Sequence, residues 1–272
     1  MKGYENIFRF YFTRRMPLIV RIDGKAFHSF TKGFKRPFDP LMMQAMQKTA
    51  AYLCAHIEGC ALAYTQSDEI SLLLIDYTGL DTQPWFGKNL QKIASVAASM
   101  ATMAFNQAFY EGYYGLLMDI ATDGKGDKEE RVNAAEAVYE RKLHTAMFDA
   151  RAFVLPKEEV CNYFIWRQLD AARNSIEMVG RAHFSHSALH KKTCRDICEM
   201  LMNRVADPVV WESLPADQRH GACVVRRPET MEDGSVRRRW TVDREIPKFT
   251  EDRDYIDRLV FIEPALEAPE QH

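Results

Sequence analysis

The stretch CALAYTQSDEISLLLID (residues 60–76) contains two apolar runs that are separated only by Ser67, Asp68 and Glu69. This spacing is typical of a β-hairpin, with the polar residues at its turn. Asp is common in turns, so the two acids have an ordinary structural reading as well as a functional one. The sequence predicts a hairpin of two buried strands with two carboxylates at its tip.

Further strands and helices are predicted on both sides of this hairpin. PLIVRIDG (residues 17–24) reads as a buried strand that ends at Asp23, and residues 39–59 read as a helix capped by an aspartate. A second helix is predicted from near Trp85 to about Tyr110, followed by a fourth strand in residues 147–156. The order strand, helix, strand, strand, helix, strand predicts an α+β, ferredoxin-like palm, with an antiparallel sheet, both helices on one face and the other face open.

The pattern divides the chain near residue 156. Residues 1–156 are predicted to form the palm-like catalytic domain, with a charged insertion at about residues 122–142 that reads as a solvated loop. Residues 157–272 are predicted to form a helical region that packs on the palm. That region also contains a β-hairpin, predicted to turn at Asp233 and Gly234.

Composition limits the classes of function. The chain has 272 residues, 47% of them hydrophobic and 27% charged, and its net charge of −2 excludes a uniformly basic nucleic-acid coat. No apolar run approaches the roughly 20 residues of a membrane span, and the first residues lack the apolar centre of a secretory signal. Six scattered cysteines without a CxxC pattern are typical of reduced thiols. These features predict a cytoplasmic protein with no membrane partner.

Asp23 and Asp68 are expected to lie close together, because adjacent strands are about 4.8 Å apart. Two carboxylates in one small space repel each other unless a cation lies between them, and such hard oxygen ligands suit Mg²⁺. Gly24, Lys25 and His28 follow at once, as expected of a turn that approaches phosphate. Spacing alone leaves the turn reading and the metal reading open.

Two other polar clusters also have two readings. Lys88, Lys92, Ser95 and Ser99 form a stripe on the predicted second helix, which suits triphosphate binding or a solvated face. The arginines of the predicted hairpin and the HKK cluster at residues 190–192 suit RNA phosphates, or charges balanced by neighbouring acids.

The chain is identified as a member of a known family by several segments. RIDGKAFHSF (residues 21–30) and YTQSDEIS (residues 64–71) together resemble the tRNA-His guanylyltransferase family and its templated 3′-to-5′ RNA polymerase relatives. The similarity continues through RPFD (36–39), WFGKNLQKIASVAAS (85–99), FDAR (148–151), WRQLDAARN (166–174) and RHGACVV (219–225).

The resemblance implies roles for particular residues. Asp23, the Gly24 carbonyl and Asp68 would hold two Mg²⁺ ions, with Glu69 as an essential neighbour, which makes Asp23, Asp68 and Glu69 the catalytic candidates. Nucleotide-binding candidates are Asp23, Gly24, Lys25, Ala26, Phe27, His28, Ser67, Asp68, Lys88 and Lys92. RNA-binding candidates are Arg167, Arg173, Asn174, Lys191, Arg237, Arg238 and Arg239.

The function that follows from the resemblance is 3′-to-5′ nucleotidyl transfer. The enzyme would activate a tRNA 5′ end with ATP or GTP and add nucleotides to it, as a homotetramer. Ala172 stands where the eukaryotic members carry a histidine, which is expected to broaden the accepted tRNAs and so favours 5′-end repair over addition of one guanosine. A nucleotide cyclase with a two-metal palm is the alternative, because the same sheet and acids would serve it.

Overall fold

One antiparallel sheet organises the molecule. The computed structural model describes residues 1–205, 207–231 and 235–261, and within these ranges the sheet has six strands in the order β4-β1-β3-β2-β5-β6. The strands are β1 (Leu18–Gly24), β2 (Cys60–Gln66), β3 (Glu69–Leu74), β4 (Phe148–Val154), β5 (Ala222–Thr230) and β6 (Val236–Asp243). The predicted ferredoxin-like palm and the later hairpin are both confirmed. The hairpin extends the palm sheet through pairing of β5 with β2, and its predicted turn at Asp233 and Gly234 lies outside the described residues.

The helices lie before, between and after these strands. They are α1 (Lys2–Asn6), α2 (Phe27–Phe30), α3 (Pro40–His56), α4 (Leu90–Thr122), α5 (Lys128–Tyr139), α6 (Lys157–His183), α7 (His186–Leu189), α8 (Cys194–Met202), α9 (Ala216–His220) and α10 (Tyr255–Val260). In the part of the chain that is described, no helix combines the length and apolarity needed to cross a bilayer.

Two predicted boundaries are wrong. Helix α4 begins later than expected because the backbone at Phe86, Gly87 and Lys88 has positive φ, and Asn89 then caps the helix by accepting from the Lys92 N–H. It also continues to Thr122, so the predicted end near Tyr110 is too early.

The charged insertion at residues 122–142 is not a solvated loop. Most of it forms α5, whose first turn is capped by the Asp127 carboxylate. Ala135 is buried, and Val138 and Tyr139 pack against the main core. These three residues are spaced i, i+3 and i+4, which puts them on one helix face. The high charge of the segment conceals this short apolar stripe.

The two faces of the sheet are covered differently. Val20 and Ile22 on β1 point into the core formed with α3 and α4, as predicted for helices on one face. Ile19 points to the opposite face, where it packs in a second cluster with Val160 and Phe164 of α6. The predicted open face is therefore partly covered by α6.

A buried ion pair holds the N-terminal segment against one end of the sheet. The Lys88 ammonium is 3.0 Å from Asp76 and also donates to the carbonyl oxygens of Thr13 and Met16, at 2.9 and 2.8 Å. Lys88 is only 2% exposed, and this burial lowers the pKa of its ammonium while Asp76 opposes the shift. All three N–H groups of the ammonium therefore donate hydrogen bonds within the protein.

We predict that Lys88→Met lowers the free energy of unfolding by about 3–5 kcal/mol, because it leaves Asp76 buried without its cation. Lys48→Met is the matched control, since Lys48 and Glu111 form a half-exposed pair at 4.0 Å that is worth at most about 1 kcal/mol. Urea denaturation measures both variants. Equal small losses would contradict the structural role of Lys88.

Candidate active site

Three carboxylates share one rung at the end of the sheet. Asp23 on β1 lies directly opposite Asp149 on β4 and Glu69 on β3. Directly opposed residues on neighbouring strands point to the same face, here the face that α6 partly covers. Asp68 joins them from the hairpin turn, where its carbonyl oxygen accepts from the Gly24 N–H at 3.0 Å. The structure therefore brings Asp23, Asp68 and Glu69 to one edge.

Asp23 and Asp68 are held there without an ion-pair partner in the described part of the chain. Burial raises the pKa of Asp23, with a further contribution from the nearby Asp149, although the charges of Arg151, Arg21 and Arg167 oppose this rise. Burial is also the main cause that raises the pKa of Asp68. The hydrogen bond from Ser67 lowers this pKa, and the nearby Asp23 charge raises it further. Within the described ranges neither carboxylate forms an ion pair, and no cluster of three or more His, Cys, Asp or Glu has metal-binding geometry. Two acids are thus available to a ligand.

Glu69 has a different environment. Its Oε1 accepts from Arg167 Nε at 2.8 Å and from the Ser71 hydroxyl at 3.4 Å. Arg167 also donates to Asp170 Oδ2 at 2.7 Å and is only 5% exposed. Burial raises the pKa of Glu69, and the Arg167 charge opposes that shift. Arg167 is committed to this buried network, and its direct contact with RNA stays a prediction.

The turn after Asp23 presents backbone donors to the same edge. Ala26 has φ +56°, and the N–H groups of Ala26, Phe27 and His28 have no protein acceptor in the described part of the chain. Consecutive free N–H groups around a left-handed residue form a concavity that suits an anion. Gly24 is required because a Cβ there would lie 2.3 Å from the Phe27 ring.

The side chains of this turn differ in what they can contact. The Phe27 ring packs against Phe30, Phe105 and Phe148, so only its edge and backbone face the site. His28 is exposed and donates to or accepts from the Ser29 hydroxyl, while Lys25 is exposed and its N–H is bound to the Met147 carbonyl. Lys25 and His28 are therefore the side chains of the turn that are free to move toward a ligand.

A cavity of about 800 Å³ opens beside the acids and the turn. This volume lies in the usual range for small-molecule sites. Five of the residues that the sequence analysis predicted to bind nucleotide or RNA line this cavity; they are Phe27, His28, Ser67, Asp68 and Asn174. Sequence reasoning missed five basic residues or gave them no role; they are Lys32, Lys35, Arg36, Arg181 and Arg219. They are scattered over three segments, so no sequence spacing would have grouped them.

Several predicted residues lie elsewhere. Lys88 and Lys92 are near the far end of the sheet, because Leu18 pairs with Leu74 there while Asp23 pairs with Glu69 at the acid edge. The Lys88 ammonium is buried against Asp76 and does not line the cavity, so its triphosphate contact stays a prediction that this arrangement does not favour. Lys92 is exposed, with its ammonium 5.7 Å from the centre of the Phe86 ring, and does not line the cavity.

The RNA-binding candidates are distributed over the surface. Arg173 is exposed and paired with Asp170, and Lys191 is exposed in the turn between α7 and α8. Arg237, Arg238 and Arg239 are exposed on β6. They do not line the cavity.

The surroundings of Ala172 are largely apolar. It is half-buried and packs against the cluster of Val179, Ile197, Leu201 and Trp211. Neighbouring residues on a helix point about 100° apart, so Ala172 and the cavity residue Ala171 have different surroundings. The predicted effect of this position on the range of accepted tRNAs stays a prediction, and a polar side chain there would meet an apolar cluster.

A palm sheet with two carboxylates that form no ion pair within the described residues, beside a cavity of nucleotide size, has the features of a two-metal phosphoryl-transfer site. The sequence model of the tRNAHis guanylyltransferase family matches residues 1–156. The chain belongs to this family of tRNA-processing nucleotidyltransferases. Family membership leaves the alternative of a nucleotide cyclase without support.

Similar proteins agree with this assignment. A bacterial tRNA(His) guanylyltransferase-like protein solved in complex with ATP is 41% identical, covers 97% of this chain and 98% of its own, and has a TM-score of 0.78. A bacterial protein of the same description in complex with GTP is 40% identical, with coverages of 96% and 97% and a TM-score of 0.74. The probable tRNA(His) guanylyltransferase of Dictyostelium discoideum is 25% identical over 78% of this chain and 75% of its own length.

We predict that Asp68→Asn stabilises the metal-free protein, and increasingly so as the pH rises. The raised pKa of Asp68 means that its contribution to stability is present below the unfolded pKa of about 3.9 and is lost as the pH rises through the folded pKa. Asparagine does not ionise. The gain in Tm over wild type in EDTA should therefore grow between about pH 4 and pH 7.

Asp119→Asn, on the exposed surface of α4, is the matched control and should show little pH-dependent difference. Thermal unfolding at a series of pH values makes the comparison. A gain for Asp68→Asn that is constant or falls with pH would contradict the repulsion between the acids.

Proposed function

We propose that this protein is a templated 3′-to-5′ nucleotidyltransferase that activates a tRNA 5′ end with ATP or GTP and then adds nucleotides to it. The observation that carries the proposal is the position of Asp23 and Asp68, unpaired, between the cavity and the uncovered part of the sheet. A nucleotide and an RNA end approaching from these two sides would meet at the acids. The similar bacterial structures with ATP and GTP support nucleotide as one reactant.

We propose that Asp23, Asp68 and the Gly24 carbonyl hold two Mg²⁺ ions. The donor set fits, because Mg²⁺ prefers oxygen ligands and is commonly bound by one or two carboxylates together with water and substrate phosphates. The raised pKa of both acids is the electrostatic cost that a bound cation would relieve. When bound, the ions would neutralise developing charge on the phosphoryl oxygens.

The remaining residues would position the reactants. The free N–H groups at residues 26–28 and the basic cavity wall would bind triphosphate oxygens, while the cavity would enclose the base and ribose. In activation, a 5′-phosphate oxygen of the RNA attacks the α-phosphorus of ATP or GTP and pyrophosphate leaves. In the addition step, the 3′-hydroxyl of the incoming nucleotide attacks the activated 5′-phosphorus. The nucleoside monophosphate that came from the activating ATP or GTP leaves. Both steps need the same alignment beside Asp23 and Asp68.

Glu69 would act through its partner. Its charge is already matched by Arg167, so it fixes α6 to the acid edge and keeps a guanidinium beside it. Breaking this pair would leave a buried charge uncompensated. We therefore assign Glu69 a positioning role in place of a metal ligand.

The proposal favours repair of truncated 5′ ends over obligatory addition of one guanosine. The two bacterial proteins that are 41% and 40% identical to this chain over nearly its full length are described as tRNA(His) guanylyltransferase-like. In repair, the enzyme would select the incoming nucleotide by its base pairing to the opposite strand of the acceptor stem.

Several different tRNAs that lack the first nucleotide should be restored with the Watson–Crick partner of the opposing base, and addition should slow once the stem is complete. Labelled truncated tRNAs incubated with each nucleotide test this. Asp23→Ala should abolish addition, whereas the exposed Asp119→Ala should retain it. Extension of tRNA-His alone, or guanosine addition opposite any base, would contradict repair.

We propose that residues 157–272 supply tRNA contacts, with the β5–β6 ribbon as the main one. Its arginines are exposed, although Arg239 is paired with Glu229 at 3.0 Å and Arg227 with Asp243. Changing Arg237, Arg238 and Arg239 together to Gln should weaken tRNA binding and reduce the slope of log affinity against log salt by about 1 for each RNA phosphate that is no longer neutralised. An unchanged slope would mean that the ribbon charges are balanced within the protein.

Two further properties are proposed from the family resemblance and the surface. A cytoplasmic location agrees with the six cysteines, all of which are free thiols. A homotetramer agrees with the exposed apolar row of Met103, Tyr110, Tyr114 and Met118 along α4. Sedimentation equilibrium should give four times the 31.4 kDa chain mass, and a monomer would contradict it.

A further inference from the structure

Helix α6 presents one large aromatic side chain to solvent beside the acid edge. Trp166 is 53% exposed, although its neighbours Tyr163 and Arg167 are 7% and 5% exposed and are bound to the sheet below. Tyr163 Oη is 2.7 Å from Ser71 Oγ, and Arg167 binds Glu69. These two anchors fix the helix, and with it the backbone that carries Trp166. The aromatic ring is exposed by its position on α6, while the helix beneath it is held rigidly.

Two guanidinium groups lie close to the Trp166 ring. The Arg21 guanidinium carbon lies 5.7 Å from the centre of the Trp166 ring, and that of Arg167 lies at 4.4 Å. Arg21 is two residues before Asp23 on β1 and directly opposite Arg151 on β4. Like charges at directly opposed positions are unfavourable. The Arg151 charge is partly balanced by Asp149 at 3.2 Å, whereas Arg21 has no carboxylate within ion-pair distance in the described ranges.

This surface is separate from the cavity. Ala171 and Ser175 line the cavity, and they lie about 140° and 180° around the helix from Trp166. Trp166 itself does not line it. The surface lies on the β4 side of the acids, where Asp149 and Arg151 are about half exposed. The acid edge is thus flanked by the cavity on one side and by an exposed aromatic ring with arginines on the other.

We propose that Trp166 is the stacking surface for the terminal base at the 5′ end of the RNA, with Arg21 and Arg151 beside the adjoining phosphate. The proposal deepens the proposed function and rests on it. A nucleotide that occupies the cavity leaves the β4 side as the approach for the second reactant. An aromatic face with neighbouring guanidinium groups suits a base and its phosphate. Stacking accepts any base, as expected of an enzyme that selects by pairing.

The alternative occupant is the base of the nucleoside triphosphate. It has the same stacking chemistry, but the anion-binding turn at residues 26–28 and the basic wall both face the cavity. A triphosphate held there directs its base into the cavity and away from Trp166. The experiment therefore measures RNA binding and nucleotide binding separately.

The probe is an acceptor-stem RNA with 2-aminopurine as its 5′-terminal base, titrated with Trp166→Ala, Trp166→Phe and wild type without nucleotide. Trp166→Ala should weaken RNA binding by about 5- to 150-fold, the range for loss of one stacked base. Trp166→Phe should retain most of the affinity because it keeps an aromatic face. Leu169→Ala is the matched control, since Leu169 is 58% exposed one turn along the helix and is not aromatic.

The fluorescence and kinetics discriminate between the outcomes. Wild type and Trp166→Phe should quench the 2-aminopurine, whereas Trp166→Ala should not. The KM for RNA should rise in Trp166→Ala, while the KM for ATP and kcat at saturating RNA stay near wild type. Unchanged RNA affinity in Trp166→Ala, or a loss equal to that of Leu169→Ala, would overturn the proposal. A weakened ATP affinity in Trp166→Ala would overturn it in favour of the nucleotide base.

Failure of the proposed function gives a different result. If wild type binds and quenches the RNA in a Trp166-dependent manner but adds no nucleotide, the stacking surface stands and the assigned reaction fails. If wild type adds nucleotides while Trp166→Ala binds RNA normally, the reaction stands and the stacking surface fails. Circular dichroism of each variant confirms folding, which the exposure of Trp166 should preserve.

Discussion

Repulsion among carboxylates at one end of the sheet is the constraint on which the site depends. Antiparallel register fixes Asp149, Asp23 and Glu69 on a single rung, and the hairpin turn adds Asp68. Of these four acids, Glu69 is the one that pairs directly with Arg167, and this pair holds α6 across the face. Asp23 and Asp68 form no ion pair in the described ranges, and the pKa of each is raised by burial. A cation bound at their edge would therefore be favourable.

The elements around this edge divide the work between two sides. On one side, the turn at residues 24–28 and the cavity wall supply donors and positive charge. Helix α5 supports that side: Tyr139 donates to Asp39 at 2.7 Å, and Lys142 from the following turn donates to the Ser29 carbonyl at 3.1 Å. On the other side, α6 leaves part of β4 and β1 uncovered. In the proposed reaction, helix α6 would lie between the nucleotide and the RNA end and would keep both beside the same acids.

Local sequence patterns predicted the strands, the hairpin and the position of the acids, because these depend mainly on neighbouring residues. Hairpin spacing and the apolar runs placed Asp23 and Asp68 at one edge, because strand pairing has few alternatives once the runs are known. The burial of Lys88 could not be predicted, because a polar helical stripe carries no information about which end of the sheet it meets. Positive φ at residues 86–88 turned Lys88 inward, where its ammonium binds Asp76. Arg181 and Arg219 could not be assigned from sequence, because tertiary packing alone brings them to the cavity.

The central claim is that Asp23 and Asp68 are held unpaired in order to bind divalent cations with nucleotide phosphate. Crystals of the protein soaked with Mn²⁺ and a non-hydrolysable ATP analogue test it most directly, because Mn²⁺ replaces Mg²⁺ and is located by its anomalous scattering. The expected result is a peak about 2 Å from a carboxylate oxygen of Asp23 and of Asp68, in contact with the triphosphate. Nucleotide density in the cavity with no anomalous peak at these two residues would contradict the claim.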